Sequence, residues 1–174
     1  MPSKFITPMS KWLIASLLVI ILDLWSKHLI SHSMQLYQSI PIIDGFFNFT
    51  LLHNYGAAFS FLADQPGWQR WFFTFVSSIM SVVIFIWLLR LKQHEQLLAI
   101  ALALVLGGAI GNLWDRVTLG YVVDFLDVFI SINQEEKHWP AFNIADSAIS
   151  IGAVLLLIDT FKKPSIGEVS KPSP

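Results

Sequence analysis

Asp124 and Asp146 stand on either side of one short connection, and each has amide or guanidinium side chains at helical spacing nearby. Asn112 and Arg116 are i, i+4 and share a helix face, while Asn143 and Asp146 are i, i+3. Two facing carboxylates suit one chemistry well, the activation of a water for attack on an amide. One ionised Asp accepts the water proton and its protonated partner bonds the carbonyl oxygen. Like charges that close cannot both ionise, so the pair shares a proton. Arg116, Asn112 and Asn143 would then orient the carboxylates. Plainer roles exist for each group. Asp146 suits a helix N-terminus on dipole grounds alone, Asp124 could simply be interfacial, and Arg116 could pair with either of them or with Asp115. Asp23 has Lys27 at i+4 and could pair with it.

The elements that must hold these groups follow from composition. Of 174 residues, 55% are hydrophobic and 13% charged, with a mean hydropathy of +0.62. Soluble domains carry about 25% charged residues, so lipid rather than water is expected against much of the surface. The net charge of -1 gives no reason to expect nucleic-acid binding. The absence of cysteine removes thiol nucleophiles, disulfides and thiolate metal sites. Among the histidines only His28 and His32 have i, i+4 spacing, and no third ligand lies near them, so that pair is expected to be interfacial rather than metal-binding.

Four segments are long and apolar enough to span a bilayer core of about 30 Å: Trp12 to about Leu29, Trp71 to Leu89, Leu97 to about Leu113, and Phe142 to Phe161. The first follows Lys4 and Lys11, but it is too long for a signal peptide and carries Asp23 within it, so a retained helix is expected. Lys4, Lys11, Arg90, Lys92, Lys162, Lys163 and Lys171 fall on one side of such a bundle and most acids on the other, which places both termini in the cytoplasm. Asp23, Asn54, Asn112, Arg116, Asp124, Asn143 and Asp146 then converge on the outer leaflet. Ionisable groups at membrane depth are costly and usually functional.

The expected fold is thus an all-α polytopic membrane protein with four transmembrane helices, a small extracytoplasmic β-sheet and a short interfacial helix, all in one membrane domain spanning 1–174. The sheet is expected within about 31–66, where Ile40-Pro-Ile-Ile43, the Asp44-Gly45 turn and Phe46 to His53 read as short antiparallel strands, followed by Ala57 to Leu62. The segment at about 125–140 reads as an amphipathic interfacial helix, and the tail at about 164–174 as disordered. Gly107, Gly108 and Gly111 suit close helix packing. A small proton-coupled transporter is the alternative function, and a serine protease using Ser147 with Lys27 is a weaker one.

At these residues the sequence resembles the lipoprotein signal peptidase family, signal peptidase II. The matching patches are Asp23-Leu-Trp-Ser-Lys27, His53-Asn-Tyr-Gly-Ala-Ala-Phe-Ser-Phe61, Gly107-Gly-Ala-Ile-Gly-Asn-Leu-Trp-Asp-Arg116 with Gly120-Tyr-Val-Val-Asp-Phe125, and Phe142-Asn-Ile-Ala-Asp-Ser147. The segment Gln134 to Pro140 matches no motif. The resemblance implies a bacterial inner-membrane aspartyl endopeptidase that uses no metal and no cofactor. Its substrates would be lipid-modified prolipoproteins, cut just before the diacylglyceryl-modified cysteine, and cyclic peptides of the globomycin type would inhibit it. Asp124 and Asp146 correspond to the catalytic pair. Asp23, Lys27, Asn54, Gly56, Asn112, Arg116 and Asn143 correspond to supporting or substrate-binding positions.

Overall fold

The structure, a computed structural model, describes residues 10–56, 67–132 and 135–162. Four helices are long and apolar enough to cross a membrane. They are α1 (Ser10–Ser33), α2 (Trp68–Arg90), α3 (Gln96–Thr118) and α4 (Ile144–Lys162). The first three cover their expected spans and extend a little beyond them at both ends, whereas α4 begins two residues later than expected and ends one residue later. Large apolar side chains such as Ile14, Leu17, Phe75, Val82, Val154 and Leu157 are exposed on α1, α2 and α4. In a water-soluble protein such surface would be aggregation-prone; against lipid it is the solvated face.

α3 is the central helix, and α1, α2 and α4 all pack on it. Small residues make this approach possible, because lipid gives helices no hydrophobic reason to associate and close backbone contact must supply the energy. A Cβ on Gly107 would lie 2.7 Å from Val19 Cβ and 2.8 Å from the Ser16 carbonyl oxygen, and one on Gly108 would collide with the Ala145 carbonyl. Gly152 of α4 meets the Ala101 carbonyl in the same way, at 2.8 Å. Ser16 Oγ donates to the Ala103 carbonyl at 2.9 Å and adds a polar contact between α1 and α3. The expectation of close packing at Gly107 and Gly108 holds. Ile84, Leu88, Leu98, Leu102 and Leu106 form the apolar core at the other end of the bundle from the polar residues.

The sheet has four antiparallel strands in the order β1 (Ser39–Ile43), β2 (Phe47–Asn54), β3 (Val122–Ile132) and β4 (Glu135–His138). β1 and β2 lie within 31–66, joined by a turn at Gly45 whose φ of 75° suits glycine. The expected strand over Ala57 to Leu62 and the expected disordered tail lie outside the described residues.

The segment 125–140 is not an interfacial helix. It is the body of β3 and the whole of β4. Val122, Val123, Asp124 and Phe125 are all buried, because this first part of β3 pairs with β2 and packs against α1 and α3. A strand buried on both faces loses the apolar–polar alternation that would mark it as a strand. The i, i+3 spacing of Asp124 and Asp127 happens to suit a helix instead.

Candidate active site

Asp124 sits near the start of β3, as its third residue, and Asp146 in the first turn of α4. Asn143 immediately precedes α4 and acts as its cap: its Oδ1 accepts from the Asp146 N–H at 2.9 Å, while its own N–H donates to Asp146 Oδ2 at 3.3 Å. The cap's side-chain nitrogen reaches the other acid. Asn143 Nδ2 donates to Asp124 Oδ1 at 2.8 Å. One asparagine therefore binds both aspartates. Asn54, the last residue of β2, donates to Asp124 Oδ2 at 2.9 Å, and Asn112 Nδ2 donates to Asp146 Oδ1 at 2.8 Å. Asp124 is 3% exposed. Burial, then the neighbouring Asp146 carboxylate, push its carboxyl up to about 7, against the Asn54 amide, the Lys27 ammonium and the Asn143 amide.

Behind this pair lies a buried ion cluster. Lys27 Nζ is 2.7 Å from Asp23 Oδ2 and 3.0 Å from Asp115 Oδ2, and donates to Asn112 Oδ1 at 2.9 Å. Each acid also receives a backbone N–H. Asp23 Oδ1 accepts from Ala145 at 2.9 Å and Asp115 Oδ2 from Val123 at 3.1 Å. Those peptides are the immediate chain neighbours of Asp146 and Asp124, so the cluster fixes both acids through the backbone. Gly111 is required beside it, since a Cβ there would lie 2.5 Å from Asp23 Oδ2.

All nine sequence-derived site residues meet in this region. Two details were missed. Arg116 forms no direct ion pair among the described residues: it donates to the Gly56 carbonyl at 3.0 Å and the Asn112 carbonyl at 3.4 Å, and its guanidinium lies over the Phe73 ring. Asp115, read only as a possible partner of Arg116, instead takes Lys27. Its spacing of eight from Val123 carried no signal of that kind. Ser147 Oγ donates to the Asn143 carbonyl and Lys27 is engaged by two carboxylates, so neither is arranged as a nucleophile and its base. Among the described residues no cluster of three or more His, Asp or Glu could hold a metal.

A cavity of about 680 Å³ opens beside the pair, walled by α2, α3, α4 and the segment 139–142. Asn54, Asn112, Arg116 and Asp146 form its polar end, and Phe73, Val76, Met80 and Ile84 line its apolar flank along α2. It is a slot between helices with an apolar flank and a polar end.

Fold and site together define the class: a multi-pass membrane protein whose helix ends and capping sheet enclose two hydrogen-bonded carboxylates. The family model described as "Signal peptidase (SPase) II" matches residues 15–162. The lipoprotein signal peptidase of Alteromonas mediterranea is 55% identical over 152 residues, covering 87% of this chain and 81% of its own. That of Ectopseudomonas mendocina is 54% identical over 151 residues, covering 87% and 88%. A solved structure described as "Bacterial membrane enzyme structure by the in meso method at 2.3 A resolution" superposes with a TM-score of 0.79 at 30% identity, covering 94% of this chain and 95% of that one. The chain belongs to the signal peptidase II family, and with that it is a multi-pass bacterial membrane protease of lipoprotein processing. The transporter alternative gives way to this assignment.

Proposed function

We propose that the protein is an aspartyl endopeptidase that removes the signal peptide from prolipoproteins immediately before their diacylglyceryl-modified cysteine. The observation that carries this is the bridging of Asp124 and Asp146 by Asn143, with Asp146 at the polar end of the cavity. Asp124 is the member better suited to hold the shared proton, since its carboxyl is raised to about 7. In the reaction, ionised Asp146 takes a proton from water as the water oxygen bonds to the scissile carbonyl carbon. Asp124 hydrogen-bonds the carbonyl oxygen and protonates it, giving a neutral gem-diol intermediate. The C–N bond then breaks, Asp146 returns its proton to the departing cysteine nitrogen, and Asp124 recovers its own from the diol as the carboxylic acid forms.

The substrate's geometry agrees with the cavity. A signal peptide is an apolar helix, and the slot along α2 accommodates one. The lipid on the cysteine, held in the membrane lipid, sets the depth of the scissile bond. Both termini lie in the cytoplasm and the site at the outer leaflet, as the distribution of Lys and Arg argues. Asp23 and Lys27 support Asn112 and the start of α4. Asn54, Asn112 and Asn143 orient the acids, and Arg116, which lines the cavity, holds the Gly56 carbonyl. Cyclic peptides of the globomycin type would compete for the same cavity.

The deciding experiment is incubation of purified protein with a lipidated prolipoprotein, reading the masses of the products. Wild type should yield a lipidated fragment beginning at cysteine, whereas folded Asp124→Asn and Asp146→Asn variants should yield none. Turnover by either variant at a tenth or more of the wild-type rate would remove the dyad, and sensitivity of wild type to chelators would point to a metal-activated water.

A further inference from the structure

The segment from Gln134 to Pro140 matched no motif, yet Trp139, Pro140, Ala141 and Phe142 form one wall of the cavity. The chain there is an arch fastened to β3 at both feet. At the far foot Phe142 pairs with Leu126, its N–H donating to the Leu126 carbonyl at 3.0 Å and its carbonyl accepting from Leu126 at 2.8 Å. At the near foot the Trp139 N–H donates to the Val128 carbonyl at 2.8 Å. Pro140 lacks an N–H. The rest of the near foot is β4, an edge strand of only four residues.

One side-chain contact reinforces that edge. His138 Nδ1 lies 2.7 Å from Asp127 Oδ1, and its ring stacks on Phe129 at 4.8 Å between centroids. Asp127 is itself anchored, because its other oxygen accepts from Thr50 Oγ1 at 2.8 Å, and Thr50 shares a 2.9 Å hydrogen bond with Ser39. One residue from each of the four strands thus forms a polar chain across the sheet, and His138 ends it next to Trp139, which lines the cavity.

We infer that His138 is a positioning residue for substrate binding: through Asp127 it holds the 139–142 arch as a wall of the cavity. The inference rests on the reading that this cavity receives the substrate. The catalytic acids are insulated from this contact. Asp124, Asn143 and Asp146 are tied to one another and to the far foot at Phe142, so loss of the near foot widens the cavity and leaves the acids in place. The signature is a rise in KM with kcat preserved.

The contact is also sensitive to pH. The groups facing His138 are Asp127 on β3 and Glu136 on its own strand, the latter 3.4 Å from Nε2. The Asp127 hydrogen bond, aided by both negative charges, outweighs burial and raises the histidine above 6.5. The charge-assisted bond is therefore complete below that value and weakens as pH climbs through the raised pKa. KM should rise with pH over that interval.

The test is steady-state cleavage of a lipidated prolipoprotein in mixed micelles from about pH 5.5 to 8.5, with wild type, His138→Ala, His138→Asn and Lys137→Ala. A half-exposed ion pair of this kind governs about a two- to fivefold effect. His138→Ala should raise KM by that factor at low pH, leave kcat within the same error as Lys137→Ala, and abolish the pH dependence of KM. His138→Asn places an amide N–H where Nδ1 stood and should restore KM without restoring the pH dependence. An unchanged KM in folded His138→Ala would overturn the inference, as would a fall in kcat at constant KM, which would mean that the contact acts on the acids. Because KM is read on the wild-type reaction whatever its catalytic groups, failure of the dyad leaves this result interpretable.

Discussion

Lys27 Nζ donates to Asn112 Oδ1 at 2.9 Å, and this bond decides which way the Asn112 amide faces. With its oxygen occupied by Lys27 and by Asn143 Nδ2 at 3.2 Å, Asn112 can present only its nitrogen to Asp146. A flipped amide would put an oxygen against the carboxylate and an N–H₂ against an ammonium. The lysine thus acts on the dyad one residue removed, by fixing the polarity of an intermediary.

Lys27→Met should show both consequences of that arrangement. It leaves Asp23 and Asp115 buried without their cation, a change that costs about 3–5 kcal/mol. Adding Asp23→Asn and Asp115→Asn should recover much of that loss. Activity should stay low in the triple variant, since Asn112 is still unlocked. Thermal unfolding and product formation measured on the same samples separate the two effects. Wild-type melting of Lys27→Met would show that the cluster carries no net energy.

The raised carboxyl of Asp124 makes a prediction about pH with a definite sign. Folded Asp124 keeps its proton up to about 7, whereas the unfolded chain releases it near 3.8. Between those values the native state binds more protons, so stability falls as pH rises, by at most on the order of 4 kcal/mol from this group. Wild type should melt at a lower temperature at pH 8 than at pH 5, and Asp124→Asn should lose less over the same range. Equal losses in the two proteins would place the pH effect elsewhere. Cleavage by wild type should also decline above about pH 7 as the shared proton is lost.

Gly108→Ala should injure catalysis out of proportion to stability. Its methyl group would collide with the Ala145 carbonyl, at the turn that carries Asp146. Overpacking of this kind costs about 1–3 kcal/mol, while a displacement of about 1 Å in a reacting group costs roughly a hundredfold in rate. Gly152→Ala is the control. It meets Ala101 and Val105 two turns further along α4, so it should destabilise comparably and spare kcat. Similar losses of kcat in the two variants would disconnect the Gly108 contact from the site.

The orientation is open to a direct check. A reporter active only in the cytoplasm, fused after Pro174, should be active. Activity of a reporter that works only outside the cytoplasm, at the same position, would invert the bundle and move the site to the inner leaflet.

The four spans were legible because twenty apolar residues in a row have few other uses, and the Lys27–Asp23 pair was legible because i, i+4 neighbours on a helix must meet. The convergence of the asparagines and aspartates could be seen as a shared level in the bundle. What stayed hidden depended on partners distant in the chain. β3 pairs with β2 some seventy positions earlier, as the Asn54–Asp124 bond shows, and nothing local in Val122 to Ile132 announces that pairing. Arg116 finds the Gly56 carbonyl across 60 positions. A backbone acceptor has no residue type, so no side-chain pattern could have pointed to it. Asp115 was considered only beside Arg116, its neighbour in sequence, while its partner in space is Lys27.

α2 and α4 both pack chiefly on α3, so the cavity between them runs along the helices as an open seam. An apolar helix entering by that seam exchanges lipid neighbours for Phe73, Val76 and Met80 and gains little hydrophobic free energy, because hydrocarbon is left on both sides of the exchange. Every signal helix in the bilayer is then a competitor at nearly equal standing, and discrimination falls to the few polar ångströms at its end. The concentration that governs saturation becomes a surface density in two dimensions. Diluting substrate with lipid at fixed volume should slow the enzyme as surely as withholding substrate does.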